Sequence, residues 1–85
     1  MIWKELLLIK KRSVNISGHR TSISIEEQFW EVLKEISEYN KKSINSIILE
    51  IDKKRNIDTN LSSAIRLFVL NKLRKDKNLV IFREK

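Results

Sequence analysis

Between residues 20 and 27 the chain reads RTSISIEE. From Thr21 to Ile25 it alternates, with Ile23 and Ile25 on one side and Arg20, Ser22 and Ser24 on the other. Strand side chains alternate faces, so this stretch predicts a short strand with one apolar and one polar face. Just beyond it, near Glu26, the period changes from two to about 3.6, the mark of an amphipathic helix. A lone strand cannot satisfy its own backbone donors and acceptors. The identity of its hydrogen-bonding mate therefore governs what the chain can become.

Three helical patterns follow. Residues 26–39 carry Phe29, Val32, Leu33 and Ile36 at i, i+3, i+4, i+7, with Trp30 and Tyr39 widening the stripe. Glu26 and Glu27 suit the positive end of that helix, and Asn40 can adopt a left-handed cap. Residues 43–55 repeat the spacing with Ile44, Ile47, Ile48 and Ile51 behind Ser43, a credible N-cap. Residues 61–75, capped by Thr59 or Asn60, are apolar over more than half the circumference, which predicts two buried faces, one of them against another subunit.

The flanks are less regular. Residues 1–9, MIWKELLLI, suit either a short helix or an extended arm that docks its large apolar groups. Lys10, Lys11 and Arg12 form a charge run, either solvated or placed to grip phosphates. Val14 and Ile16 then alternate with Ser13, Asn15 and Ser17 as a second period-two run. Gly18, the one glycine, marks a turn, a bulge or a close approach: either the chain folds back as a hairpin, or one long kinked strand continues to Ile25. The run LVIF at 79–82 suits a strand that must pair or dock. The expected organisation is an N-terminal arm over 1–18, a core over 19–56, and a C-terminal helix with a short apolar tail over 57–85.

Charge narrows the function. The 85 residues hold 18 lysines and arginines against 11 acids, a formal net charge of +7. A polyanion is the natural partner, and nucleic acid the commonest one. No cysteine and one histidine, His19, leave no thiolate metal site and no all-histidine site within one chain. His19 reads more simply as a turn residue beside Gly18. The glutamates at 26, 27, 31, 35 and 38 spread along one helix and read as capping and solubility, and there is no glycine-rich phosphate loop. The chain is therefore not expected to be an enzyme, and no cofactor is expected. No run approaches the roughly 20 apolar residues of a membrane span, and no secretory pattern is visible, so a cytoplasmic protein is expected.

A single strand followed by two helices is completed most simply by its twin from a second subunit. The two strands then form an antiparallel ribbon that fits the major groove of duplex DNA. Read together, RTSISIEEQFWEVLKEISEYNKKSINSIILEID resembles the ribbon-helix-helix family of bacterial DNA-binding proteins. KRSVNISGHRTSISIE, followed by FW and then SSAIRLFVL, resembles a group of small bacterial proteins within that family. The resemblance covers roughly residues 11–70. It implies a mainly α fold with a short β-strand, an intertwined homodimer with an intersubunit ribbon, and here a third, C-terminal helix. The implied function is sequence-specific or semi-specific duplex DNA binding by a transcriptional regulator; whether the homodimer assembles further on DNA is left open by the sequence.

By position, the resemblance makes Arg20, Ser22 and Ser24 the base-contacting residues. It makes Ser43, with the amides of Ile44 and Asn45, a phosphate clamp. Lys41, Lys42, Lys11 and Arg12 add charge for phosphates. Ile23, Ile25, Phe29, Leu33, Ile36, Ile47, Ile48 and Ile51 form the dimer core. Two departures stand out: Asn40-Lys41-Lys42 replaces a turn that often holds glycine, and the later ribbon positions are serines, which distinguish bases poorly. The alternative function is a protein-interaction module of antitoxin type, whose C-terminal helix and tail bind a partner protein. The two faces of the strand separate readout from stability. Arg20→Ala should weaken DNA binding and shift stability by less than about 0.5 kcal/mol, whereas Ile23→Ala should destabilise the fold by about 2–5 kcal/mol. Thermal melts and DNA titrations of both variants check this; an unfolded Arg20→Ala protein means the faces are swapped.

Overall fold

Ser17 and Gly18 turn the chain back on itself, with φ of 51° and 83°. Positive φ at both central residues gives a two-residue turn whose twist matches that of the strands it joins. Gly18 adopts this freely, and a Cβ there would meet nothing within 4 Å, so backbone conformation rather than crowding favours glycine. The computed structural model describes residues 8–75. In chain order they form β1 (Ile9–Ile16), β2 (His19–Glu26), α1 (Glu27–Asn40), α2 (Ile44–Lys54) and α3 (Leu61–Lys75). Residues 1–7, which carry most of the apolar groups of the N-terminal arm, and the LVIF run lie outside the described part.

The strand whose simplest mate was expected to be its twin has one inside the chain. β1 pairs antiparallel with β2 along its whole length, from Ile16 opposite His19 to Ile9 opposite Glu26. The amide of Glu27 donates to the carbonyl of Leu8 at 3.1 Å, extending the ladder by a rung. Of the two arrangements open for residues 10–25, the hairpin is the one adopted. The single chain therefore contributes two strands rather than one to any ribbon, and β2 keeps one edge for a further strand.

The hairpin lays its inner face on the helices. Val14, Ile23 and Ile25 are buried there together with Leu33, Ile47, Ile48, Ile51, Ala64, Ile65 and Val69. Ile16, Phe29, Trp30, Val32, Ile36 and Ile44 pack partly buried around them. Fully burying one such side chain contributes about 1.5–3 kcal/mol. The residues expected to form a dimer core thus line the core of one chain.

The helix ends follow local chemistry. α1 ends on Lys41, which takes the left-handed conformation at φ 57° while its amide donates to the Glu38 carbonyl at 3.2 Å. Asn40, the expected cap, is instead the last helical residue. α2 starts at Ser43, whose Oγ accepts from the Ser46 amide at 3.0 Å. α3 starts after Asn60, whose Oδ1 accepts from the Ser63 amide at 2.8 Å. α3 buries Ala64, Ile65 and Val69, but Leu67 and Leu70 remain 55% and 43% exposed. One of its two apolar faces is therefore uncovered.

Arg66 ties α3 to the end of β2. Its Nε and a terminal nitrogen donate to the two carboxylate oxygens of Glu26, at 2.7 and 3.1 Å. The fork-to-fork geometry is the strong form of this contact. The Arg66 hydrogen bond holds the Glu26 carboxyl below its ordinary value of 4.5, against a smaller opposing effect of burial. A carboxyl with a lowered folded pKa adds stability above its unfolded pKa and loses it as pH falls through the folded one. Arg66→Ala should therefore lower the melting temperature at neutral pH. The gap to the wild type should close in acid, below the folded pKa of Glu26. Melts across this range check it, and a gap that persists at low pH means the pair is not its source.

Candidate nucleic-acid interface

The hairpin's other face is polar from Lys11 to the turn, with Ile9 exposed at its far end. β1 presents Lys11, Ser13 and Asn15, and β2 presents Ser24, Ser22 and Arg20 opposite them in that order. All six are exposed. Their position follows from the pleat: the parity that buries Val14, Ile23 and Ile25 turns these residues outward. The result is a two-stranded ribbon with a cation at each end of its polar face, Lys11 at one and Arg20 at the other. Serines lie between, short enough to let another surface approach closely.

Arg12 differs from its neighbour Lys11. It shares the parity of Val14 and Ile16 and faces the body of the protein. A terminal nitrogen donates to Glu27 Oε1 at 2.7 Å, and its guanidinium lies 4.5 Å from the centroid of the Trp30 ring. The buried Nε has no hydrogen-bond partner among the described residues. The negative face of the indole offers the cation a favourable neighbour instead. Burial alone would raise the Glu27 carboxyl, but the Arg12 hydrogen bond, helped by the charges of Arg12 and Lys10, holds it below the ordinary value. Arg12 therefore stands apart from the outward cations with which it was grouped. The period-two pattern through 12, 14 and 16 was the signal that could have separated them.

The start of α2 lies beside this ribbon. Ser43 Oγ is occupied by the Ser46 amide, and the Ser43 carbonyl accepts from Ile47. The amides of Ile44 and Asn45, in the first turn, have no partner among the described residues. Free amides at a helix start carry the positive end of its dipole. Lys41 and Lys42 precede them. Lys41 is exposed, while the Lys42 ammonium donates to Glu50 at 2.8 Å and pulls that carboxyl below its ordinary value. The Asn45 side chain reaches β1: its Oδ1 accepts from the Asn15 amide at 2.9 Å and its Nδ2 donates to the Asn15 carbonyl at 2.6 Å. This reciprocal pair holds the first turn of α2 against the ribbon. Nothing in the local sequence pattern announces it, because residues 15 and 45 meet only in the folded chain.

The two edges of the ribbon differ. In an antiparallel pair, alternate residues direct their backbone groups away from the partner strand. On β2 these are Arg20, Ser22 and Ser24, whose outward amides and carbonyls have no partner among the described residues. A groove of about 610 Å³ runs beside them, with Thr21, Ser22 and Ile23 on one wall and Asn60, Leu61, Ser62 and Arg66 on the other. Among the described residues, no cluster of three or more potential ligands could hold a metal ion. No helix among them is long and apolar enough to cross a membrane.

A polar two-stranded ribbon followed at once by two capped helices is a recognisable architecture. The family model for the ribbon-helix-helix domain matches residues 9–73, from the first residue of β1 nearly to the end of α3. The chain belongs to the ribbon-helix-helix family. Ribbon-helix-helix domains are typical of DNA-binding regulators and antitoxins and are generally non-catalytic. The match takes in both strands and the third helix, so the hairpin and α3 are part of the domain rather than additions to it. No curated protein and no solved structure matches the chain.

Proposed function

We propose that this ribbon-helix-helix protein is a homodimeric transcriptional regulator that reads duplex DNA with the polar face of its ribbon. The observation that carries the reading is the exposed row of Lys11, Ser13, Asn15, Arg20, Ser22 and Ser24 beside an unpaired β2 edge. A second copy's β2, antiparallel about a twofold at Ser22, would set Arg20 opposite Ser24 and leave no like charges facing. The sheet would then have four strands in the order β1, β2, β2, β1.

Its width suits a division of labour. Strands lie about 4.8 Å apart, so the two β2 strands sit about 2.4 Å from the axis and the two β1 strands about 7.2 Å from it. The major groove is about 12 Å wide, with walls about 6 Å from its centre. The central strands enter the groove, where Arg20 can donate to the O6 and N7 of a guanine and Ser22 and Ser24 approach base edges. The outer strands pass over the walls, where Lys11 meets phosphates. The free amides of Ile44 and Asn45, with Ser43, Lys41 and Lys42, take phosphates beyond them. Arg12, facing inward, has no place in this scheme. A direct DNA contact from it is the one phosphate role we do not carry forward.

Affinity in this scheme comes largely from phosphate neutralisation. With roughly 6–10 phosphate contacts per dimer, affinity should fall about 10³–10⁵-fold between about 50 and 200 mM salt. Fluorescence-anisotropy titrations on duplex DNA at several salt concentrations check it, and absence of binding at low salt rejects the reading.

A second reading draws on Leu67 and Leu70, exposed one turn apart on α3. They supply an apolar stripe for a partner protein, as an antitoxin-type module would require. If so, Leu67→Ser with Leu70→Ser should keep the fold and the affinity for DNA while a co-purifying partner is lost. Partner retention by this folded double variant counts against it.

A further inference from the structure

A sheet that recruits a second copy through one edge must close its other edge, or the same pairing continues from chain to chain. Exposed edges recruit strands because their donors and acceptors are unsatisfied. β2 leaves Arg20, Ser22 and Ser24 open on its outer side, whereas β1, which turns Lys11 and Ser13 outward, meets α2 at Asn15. There the Asn45 carboxamide offers one acceptor and one donor to the amide and carbonyl of Asn15. Those are the two groups an incoming peptide would offer to the same residue. A carboxamide is chemically a short piece of backbone, and here it sits where the next strand would lie.

We infer that Asn45 closes the outer edge of β1, so that a second copy of this chain can add at β2 alone and assembly stops at two. The inference rests on the dimer proposed above, and it assigns Asn45 a role in addition to that of its backbone amide. The geometry has three supporting features. Asn15 lies next to the Ser17–Gly18 turn, so the plug occupies the end of the edge from which a new ladder would begin. Ser43 caps α2 through its bond to Ser46, which fixes the turn that carries Asn45. Further along the same edge stands Lys11, whose charge discourages strand addition. β2 has no equivalent plug among the described residues, and its edge charges are confined to Arg20 at one end and Glu26 at the other.

The test compares full-length wild type with Asn45→Ala and Ser22→Pro by light scattering over a hundredfold concentration range, with circular dichroism as the check on folding. Alanine is the best helix former, so the substitution removes the plug without weakening α2 by propensity. Proline at Ser22 removes an outward amide from β2's edge. Asn45→Ala should form species larger than the wild type, growing with concentration, and the Asn15 amide should exchange with solvent at least tenfold faster. A folded Asn45→Ala protein with the wild-type mass at every concentration overturns the inference. Ser22→Pro tests the dimer separately. If it leaves a dimer intact, or if the wild type is a monomer, pairing through β2 is wrong. Added association by Asn45→Ala would still support the closed β1 edge, and unchanged mass would still overturn it. Should Asn45→Ala fail to fold, Asn45→Ser, too short to bridge both Asn15 groups, serves in the same comparison with the same two outcomes.

Discussion

The pairing of β1 with β2 is the constraint from which the rest of the molecule follows. Once Ser17 and Gly18 close a two-residue turn, the register is set and every side chain is committed to a face. A slip of one residue would bring Ser22 and Ser24 onto the helices and expose Ile23 and Ile25. Burial of the two isoleucines and of Val14 makes that slip costly. The polar outer face is thus a consequence of apolar packing on the inner one, and the same burial that stabilises the chain exposes Lys11, Arg20 and the serines.

Electrostatics divide the cations into two populations. Arg12 and Arg66 are consumed internally: one bonds Glu27 over Trp30, the other bonds Glu26, and both fasten the hairpin to helices. Lys11, Arg20 and Lys41 are exposed and form no ion pair among the described residues. An excess of seven positive charges says only that a polyanion is attractive. Which charges remain available to one depends on where the glutamates fall, and two of the best-placed acids sit at the junction of β2 and α1. Lys42 lies between the populations, bonded to Glu50 yet half exposed.

Much of this was legible along the chain. The helices begin and end within a residue or two of the positions their apolar spacing and capping residues indicate, because both signals act over a single turn. Ser43 caps α2 as its place before an isoleucine stripe suggests. The alternation through 20–25 assigned Ile23 and Ile25 to the core and Arg20, Ser22 and Ser24 to the surface, as the folded chain has them. The left-handed residue after α1 was harder. Lys41 takes it rather than Asn40, since the helix runs one residue further and its last carbonyls, not side-chain preference, choose where the chain turns.

Local sequence therefore determined the elements, their faces and the family to which they belong, because periodicity and capping are properties of neighbours a few residues apart. Tertiary structure alone decided which strand completes the ribbon, that Trp30 and Glu27 lie under Arg12, that α3 leaves Leu67 and Leu70 uncovered, and that Asn45 bonds the backbone of Asn15. Each of these joins residues distant in the chain or depends on which of several apolar faces wins the limited core. Such contests are settled by packing in three dimensions, and a one-dimensional pattern carries no record of their outcome.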